Sequence, residues 1–252
     1  MKPKILVWDT ETSPSLAWVF RRWKENIQPN RVESESILLT TCWKWLGQKK
    51  VSSTAIPDFT LDPQDDEGVV RKTWEVLDEC DIAVAHNGDR FDTPVVNSRF
   101  AFYGLPPPSG YLKIDTLKIA RRVFRFPSNR LGALCDYLRL PHKKQESDFE
   151  MWRGCLKGDP GSWRKMVSYC KDDVRSLEGL YLALRAWDDQ HPNVSLWDED
   201  VTCPACGGSS LTRRGWAFTK TQKYRRYQCD CGHWCRGRYT HLENKETLVN
   251  SK

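Results

Sequence analysis

Two acidic residues, separated by one residue, follow the first apolar run of the chain in the segment WDTET. Side chains alternate along an extended strand, so Asp9 and Glu11 point to the same face. Carboxylates that share a face repel each other, and a hard divalent cation with oxygen ligands offsets that repulsion. The pair predicts a metal site at the end of a buried strand. The alternative is two solvated acids.

A third acidic residue follows the next buried apolar run, in the segment AVAHNGDRFD. Asp92 stands where a helix is predicted to begin, so it either joins the metal site or complements the helix dipole. In the same segment, His86 and Asn87 either contact the substrate or end the strand.

A fourth acidic candidate lies in the segment SYCKDDV, where two aspartates are adjacent. On a helix, Tyr169 and Asp173 are four residues apart and share a face. Asp172 lies about 100° round the helix from Asp173. The neighbouring apolar positions predict that Asp173 faces the buried side and Asp172 lies nearer solvent. The alternative is a purely structural Tyr–Asp pair.

Together these motifs resemble the DEDD superfamily of 3′-to-5′ exonucleases. The D-x-E motif is matched by Asp9 and Glu11, H-N-x-x-x-F-D by the segment ending in Asp92, and Y-x-x-x-D by Tyr169 and Asp173. The resemblance covers residues 1–188 in the family's motif order.

The third motif indicates the tyrosine subclass, DEDDy, because Ser168 stands where the other subclass has a histidine. The resemblance implies an α/β fold: an RNase H-like (DnaQ-like) mixed β-sheet flanked by helices. The stretch TSPSLAWVF and the later ILLTTCWKWLG are similar to the phage-encoded branch. If the protein is phage-encoded, its location is the host cytoplasm.

The resemblance also implies roles for these residues and two Mg²⁺ or Mn²⁺ ions. Asp9, Glu11 and Asp173 would hold the ion that activates water, Asp9 would bridge to the second ion, and Asp92 would organise that side. Such a pair stabilises the attacking and leaving oxygens of an in-line displacement. Tyr169 would orient the water, because a phenol is a poor general base.

The carboxyl-terminal part holds a cysteine pattern that resembles a zinc ribbon, in CPACGG and YQCDCGHWCRGR. Clustered cysteines in a chain without an export signal favour a metal over disulfides. The predicted ligands of one structural Zn²⁺ are Cys203, Cys206, Cys229 and Cys231. The second half is one residue short of a normal knuckle, so Cys235 and His233 are rival fourth ligands.

Positive charge is concentrated in the same region. Residues 201–252 hold ten lysines and arginines against three acidic residues, while the rest holds 29 against 30. This distribution favours a polyanion partner, with nucleic acid the commonest. The candidate contacts are Arg213, Arg214, Lys220, Lys223, Arg225, Arg226, Arg236 and Arg238. Trp216, Phe218, Tyr224 and Tyr227 lie among them and either stack on bases or cover the zinc core.

Hydrophobic periodicity places these motifs on elements of both kinds. Strands are predicted at 4–8, 37–45, 50–56, 82–88 and 112–115, and helices at 69–80, 91–104, 129–140, 161–174 and 175–187. The predicted domains are 1–195, the exonuclease, and 196–252, the basic ribbon. No signal peptide or membrane span is visible, so the expected location is the cytoplasm.

The expected function is metal-dependent 3′-to-5′ hydrolysis of DNA, mainly single-stranded, with the ribbon holding the nucleic acid. Two alternatives remain. One is an exoribonuclease with the same mechanism. The other is a non-catalytic nucleic-acid-binding or interaction protein on a nuclease fold. The presence of all four carboxylates and the tyrosine argues against the second.

Overall fold

The computed structural model describes residues 2–142 and 148–241. The chain divides into two compact units. One unit is Lys4–Tyr181, and the other combines Met1–Pro3 with Leu182–Lys252. The boundary predicted between residues 195 and 196 falls inside the second of these units and stays a prediction.

The first unit is built on a five-stranded mixed sheet. Its strands are β1 (Ile5–Thr12), β4 (Leu38–Trp45), β5 (Ser52–Ala55), β6 (Ile82–Ala85) and β7 (Leu112–Asp115), in the order β5-β4-β1-β6-β7. A two-stranded ribbon of β2 (Leu16–Ala17) and β3 (Val32–Ser34) lies between β1 and β4 in the chain. The mixed sheet and the β4–β5 hairpin expected from the sequence are confirmed.

Strand β1 is the centre of this sheet because its apolar run can be buried on both faces. It pairs parallel with β6 and antiparallel with β4, and Leu6, Val7 and Trp8 are buried. The pairing with β4 shifts register between Glu11 and Thr12, so the strand bends where its acidic residues end.

Six helices accompany the sheet among the described residues. They are α1 (Glu67–Glu79), α2 (Asp92–Phe102), α3 (Thr116–Val123), α4 (Leu131–Tyr137), α5 (Phe149–Leu156) and α6 (Pro160–Leu184). The two helices predicted between 161 and 187 form one, α6. Helices α3 and α5 were not predicted, because each is only eight residues long, which gives a helical repeat little room to show.

The long helix α6 begins at a well-defined cap. Asp159 accepts hydrogen bonds from the backbone N–H of Ser162 (2.7 Å) and from its hydroxyl (2.7 Å), and Pro160 occupies the first helical position. These bonds lower the pKa of Asp159. The buried positions recur every three or four residues: Trp163, Met166, Cys170, Val174, Leu177 and Leu180. This apolar face carries the helix across the sheet.

A buried ion pair holds α2 in place. The carboxylate of Asp66 accepts from the backbone N–H of Leu38 (2.8 Å), from Nε of Arg99 (2.8 Å) and from the hydroxyl of Tyr103 (2.7 Å). These bonds join β4, the start of α1 and the end of α2. Because Asp92 is the first residue of α2, the pair also helps to position that carboxylate.

The second unit contains a small antiparallel sheet. Strands β8 (Leu211–Phe218), β9 (Lys223–Cys229) and β10 (Trp234–Arg236) lie in the order β10-β9-β8. The basic segment between the two cysteine pairs thus forms β8 and β9, and β10 adds a third strand. Across both units, the described residues include no helix that is long and apolar enough to cross a membrane.

Candidate active site and cysteine site

Strand β1 and helix α6 bring three carboxylates together. Ligand atoms of Asp9, Glu11 and Asp173 all lie within 4.8 Å of one another. Asp9 and Glu11 share a face of β1, as the alternation of the strand predicts. Asp173 joins them from α6, 162 positions after Glu11 along the chain. A divalent cation could contact all three carboxylates at once.

Asp92 lies beside this group but is held differently. Its side chain is buried, with 2% exposed. Its Oδ1 accepts from the backbone N–H of Thr10 (3.1 Å) and from the Thr10 hydroxyl (2.7 Å). A ligand role would therefore fall to Oδ2. The charge of Asp92 is close enough to Asp9 to raise its pKa.

The pKa values show how strongly the site opposes four negative charges. Burial, followed by the charge of Asp92 and then that of Glu11, raises the pKa of Asp9 well above its usual range. Burial and the charges of Asp173 and Asp92 raise the pKa of Glu11 to about 8. Burial also raises Asp92 and Asp173 to a pKa of about 6 each. Such crowding of acids in a low dielectric is stable only with protons or cations present.

Tyr169 is oriented from two sides. Its hydroxyl donates a hydrogen bond to Asp173, which lowers the pKa of that carboxyl against the effect of burial. Its ring packs edge-on against Trp152 with centroids 6.4 Å apart, and Nε1 of Trp152 donates to the Thr12 carbonyl (3.0 Å). Burial, then the charges of Asp173 and Glu11, raises the pKa of the phenol. The group is thus a neutral hydrogen-bond donor at neutral pH.

The predicted burial of the two adjacent aspartates is wrong. Asp172 is the buried one, with 5% exposed, and Asp173 is half-buried. Asp172 pairs with Arg175. Ser176, on the same side of α6 as Asp172, is also buried, and the thiol of Cys135 from α4 donates to its carbonyl (3.7 Å). Tertiary packing therefore covers the side that periodicity assigned to solvent, while Asp173 joins the acidic group.

His86 has a structural role here. Both ring nitrogens are engaged: Nε2 with the Asn129 carbonyl (2.9 Å) and Nδ1 with the Thr116 hydroxyl (2.8 Å). Burial lowers the pKa of His86, so the neutral ring donates from Nε2 and accepts at Nδ1. Asn87 adopts a left-handed φ of 68°. At Gly88, an added Cβ would lie 2.4 Å from the Cβ of Ala85, which requires glycine.

Four cysteine sulfurs in the second unit form a separate group. Ligand atoms of Cys203, Cys206, Cys229 and Cys231 lie within 4.8 Å of one another. Gly207 and Gly232 follow the two pairs, with φ of 69° and 90°. The Gly207 N–H donates to the Cys203 carbonyl (2.8 Å), and the Gly232 N–H donates to the Cys229 carbonyl (2.8 Å). The second turn therefore closes with one residue fewer than the first.

The two rival fourth ligands lie outside this group of sulfurs, as far as the described residues show. The ring nitrogen Nδ1 of His233 contacts the Ala186 carbonyl (3.0 Å). Cys235 lies in β10 and pairs with Tyr227 in β9. The four thiols together offer the tetrahedral sulfur set that zinc prefers.

The basic residues of the small sheet cover its aromatic rings. Lys223 and Arg225 each place their charge 4.0 Å from the ring centre of Trp216, and Arg236 lies 3.9 Å from that of Tyr224. Phe218 remains largely exposed. The remaining candidate contacts, Arg213, Arg214, Lys220, Arg226 and Arg238, are exposed. Cation–π attraction to these ring faces holds Lys223, Arg225 and Arg236 in place.

Three residues that support the acidic site were not predicted from the sequence. Thr10 binds Asp92, Trp152 packs on Tyr169, and the thiol of Cys170 donates to the backbone oxygen (3.5 Å) and Oδ2 (3.7 Å) of Asp9. Thr10 and Cys170 adjoin motif residues, which is a weak signal. Trp152 lies on the unpredicted helix α5, and nothing in the local pattern indicates its role.

The donor sets match two kinds of ion. The acidic group offers only carboxylate oxygens, which suit Mg²⁺ or Mn²⁺, and its raised pKa values show uncompensated negative charge. The cysteine group offers only sulfur, and its buried members Cys203 and Cys229 are typical of a structural zinc site.

Two curated relatives are DNA polymerases that match this chain over part of its length. The DNA polymerase III PolC-type of Ureaplasma parvum is 41% identical over 88 residues, 34% of this chain and 5% of that protein. DNA polymerase 2 of Aeropyrum pernix is 29% identical over 119 residues, 40% of this chain and 15% of that protein. The chain thus spans a small fraction of these relatives. An origin in a phage stays a prediction from the sequence.

A solved structure shares the fold. The family B DNA polymerase from Pyrobaculum calidifontis superposes with a TM-score of 0.52 and 17% identity, covering 73% of this chain and 25% of that one. The RNase_H_2 family, described as RNase_H superfamily, matches residues 31–185, which is more than half of the chain. The RNase H-like α/β fold expected from the sequence is confirmed, and the chain belongs to the RNase_H superfamily.

Proposed function

We propose that this protein is a metal-dependent 3′-to-5′ exonuclease of the DEDDy type that hydrolyses phosphodiester bonds, mainly in single-stranded DNA. The observation that carries the proposal is the convergence of Asp9, Glu11 and Asp173 within 4.8 Å, with Asp92 beside them. Membership of the RNase_H superfamily and the match to DNA polymerases support it.

The four carboxylates would hold two Mg²⁺ or Mn²⁺ ions. When bound, these ions lower the pKa of water and stabilise charge on the attacking and leaving oxygens. Asp9 sits in the middle of the charge cluster, since the three other carboxylates all raise its pKa. It is therefore the best candidate to be shared between the two ions. Asp92, fixed by Thr10, would serve the second one.

Tyr169 would orient the attacking water. The phenol is kept neutral by its raised pKa, so it cannot serve as a general base near neutral pH. Because Trp152 holds the ring and Asp173 accepts the hydroxyl proton, the phenol oxygen is a preorganised hydrogen-bond acceptor for the water beside the carboxylates. Orientation of this kind lowers the barrier by placing the water in line with the phosphorus.

The second unit would bind the nucleic acid, with its four cysteines holding one structural Zn²⁺. Lysines and arginines far outnumber acidic residues in this region. The resulting positive charge favours contacts with phosphates. We propose that the rings carrying these cations hold them at fixed positions on the small sheet. Deleting residues 201–252 should weaken binding and its salt dependence while sparing cleavage of short substrates.

The central experiment uses the full chain with single-stranded DNA and RNA carrying a label at either end, in Mg²⁺, Mn²⁺ or chelator. Cleavage from the 3′ end releases a 3′ label as the first product and converts a 5′-labelled strand into a descending ladder. Removal of one ligand in Asp9→Ala should abolish both patterns. Asp89→Ala is the matched control, because Asp89 lies outside the acidic group and pairs with Lys118.

Digestion without a divalent ion, or digestion that survives Asp9→Ala, would overturn the mechanism. Preference for RNA would favour the exoribonuclease, which has the same site and the same chemistry. Failure to cleave either polymer, with binding retained, would favour the non-catalytic binding protein.

A further inference from the structure

An exposed segment, residues 16–34, follows the D-x-E motif of the acidic site along the chain. We call it the aromatic finger. Strands β2 and β3 pair antiparallel at its base, and the Trp18 N–H donates to the Arg31 carbonyl (2.9 Å). Lys24 adopts a left-handed φ of 51°. The Glu25 carboxylate accepts from the Arg21 N–H (2.7 Å). The finger is thus an ordered turn.

Three large rings of the finger lie in solvent. Trp18, Phe20 and Trp23 are 73%, 87% and 84% exposed. The aliphatic side chains of Leu16, Val19 and Ile27 are exposed beside them. Folding normally buries tryptophan, and a concentration of exposed apolar side chains in one segment marks a binding surface.

The finger also carries positive charge between its rings. Arg21, Arg22 and Lys24 are exposed, and no ion pair engages them among the residues that the structure describes. Of the two acidic residues in the finger, Glu25 is paired with Arg31, whose guanidinium lies 4.8 Å from the ring centre of Phe20, and Glu33 lies in β3 at the base. Rings and uncompensated cations therefore alternate along one short segment.

The base of the finger is joined to the acidic site. Thr12 follows Glu11 directly, and its carbonyl accepts from Trp152, the residue that packs on Tyr169. Next to it, Ser13 donates its N–H to the Ile37 carbonyl (2.9 Å) and accepts at its own carbonyl from the Ser36 hydroxyl (2.6 Å). These bonds anchor both ends of the finger beside the last residues of the D-x-E motif.

We propose that the aromatic finger binds unpaired bases of a single-stranded nucleic acid by stacking on Trp18, Phe20 and Trp23, while Arg21, Arg22 and Lys24 contact its phosphates. The inference rests on the proposed nuclease function for its choice of ligand. The finger would be a second nucleic-acid-binding element, located in the first unit. The net charge of that unit does not indicate such an element.

Two features favour a single strand over other occupants. A duplex hides the faces of its bases in the stack, whereas unpaired bases stack readily on exposed rings. Lysine is depleted in protein interfaces, whereas Lys24 lies beside the rings here and suits contact with a phosphate. Stacking on aromatic rings next to cations is the usual chemistry of single-strand binding.

The test measures binding apart from cleavage. All proteins carry Asp173→Asn to prevent digestion, and fluorescence anisotropy reports affinity for a fluorescein-labelled oligothymidylate and for a blunt DNA hairpin. Each ring removed should weaken single-strand binding at least about fivefold. The double variant Trp18→Ala/Trp23→Ala should therefore lose at least about 25-fold, if the rings act independently. Hairpin affinity should stay at the parental level.

Matched variants separate stacking from general effects. Phe59→Ala/Phe102→Ala removes two other exposed rings and should leave both affinities unchanged. Trp18→Phe/Trp23→Phe keeps rings at both positions and should retain single-strand affinity. It should also lose the part of the tryptophan fluorescence that oligothymidylate quenches in the parent. Circular dichroism confirms that each variant is folded.

Equal single-strand affinity of the parent and Trp18→Ala/Trp23→Ala would overturn the inference. The finger would then be assigned to binding a protein partner. Equal losses for the single strand and the hairpin would overturn the stacking assignment. None of these binding measurements depends on cleavage. A wild-type chain without nuclease activity would therefore refute the proposed function but would not decide whether the finger binds single strands.

Discussion

Replacing Glu11 by glutamine should stabilise the chain at alkaline pH when Mg²⁺ and Mn²⁺ are absent, although it removes a proposed metal ligand. Burial, together with the charges of Asp173 and Asp92, raises the pKa of Glu11 from 4.5 to about 8. Without a cation, ionisation of Glu11 therefore opposes folding. Glutamine has nearly the same shape and cannot ionise.

The size and sign of the effect follow from the pKa shift. Between pH 4.5 and about 8 the folded chain retains a proton that the unfolded chain has lost, so wild-type stability falls as the pH rises. At 1.36 kcal/mol per pH unit, the shift corresponds to at most about 5 kcal/mol. Solvent screens part of this effect, because the Glu11 side chain is only half-buried. We therefore expect the free energy of unfolding of Glu11→Gln to exceed that of wild type by about 2–5 kcal/mol at pH 8.

Urea unfolding followed by tryptophan fluorescence measures this difference. The protein is dialysed free of Mg²⁺ and Mn²⁺ under conditions that retain zinc. Glu11→Gln should exceed wild type by the stated amount near pH 8 and by less than about 1 kcal/mol near pH 5. Glu33→Gln, an exposed site with the same chemical change, should match wild type at both pH values.

Adding Mn²⁺ should reverse the order of stability. The ion offsets the repulsion among the wild-type carboxylates and stabilises the folded state by mass action. The variant lacks one ligand and should gain less. If Glu11→Gln were no more stable than wild type at pH 8 without Mn²⁺, the acidic group would not be under the electrostatic strain inferred from its geometry.

Three further predictions follow from the two sites. Asp172→Ala should lower the free energy of unfolding by about 1–3 kcal/mol, since it removes a buried carboxylate that pairs with the exposed Arg175, while cleavage per folded molecule stays near wild type; unchanged stability in urea would contradict this. Tyr169→Phe keeps the ring on Trp152 and should lower kcat about 10- to 100-fold in a chain that circular dichroism shows to be folded; an unchanged kcat would exclude the water-orienting role. Cys231→Ser should release zinc, detected with a chromophoric chelator, whereas Cys235→Ser should retain it; the opposite result would make Cys235 the fourth ligand.

Much of the acidic site can be predicted from local sequence because it depends on element geometry. The two-residue repeat of a strand places Asp9 and Glu11 on one face, and the helical repeat places Tyr169 beside Asp173. Likewise, a short spacing between cysteines and a following glycine predicts each knuckle of the cysteine site. These relations are set within a few residues, so they do not depend on what packs against the element.

Only the tertiary structure shows which side of an element is covered. Periodicity assigned Asp172 to solvent, yet tertiary packing buries it. The same dependence on distant packing explains why Trp152 was not recognised as the support of Tyr169. A local pattern determines how side chains are arranged around their own strand or helix, whereas burial depends on elements brought from elsewhere in the chain.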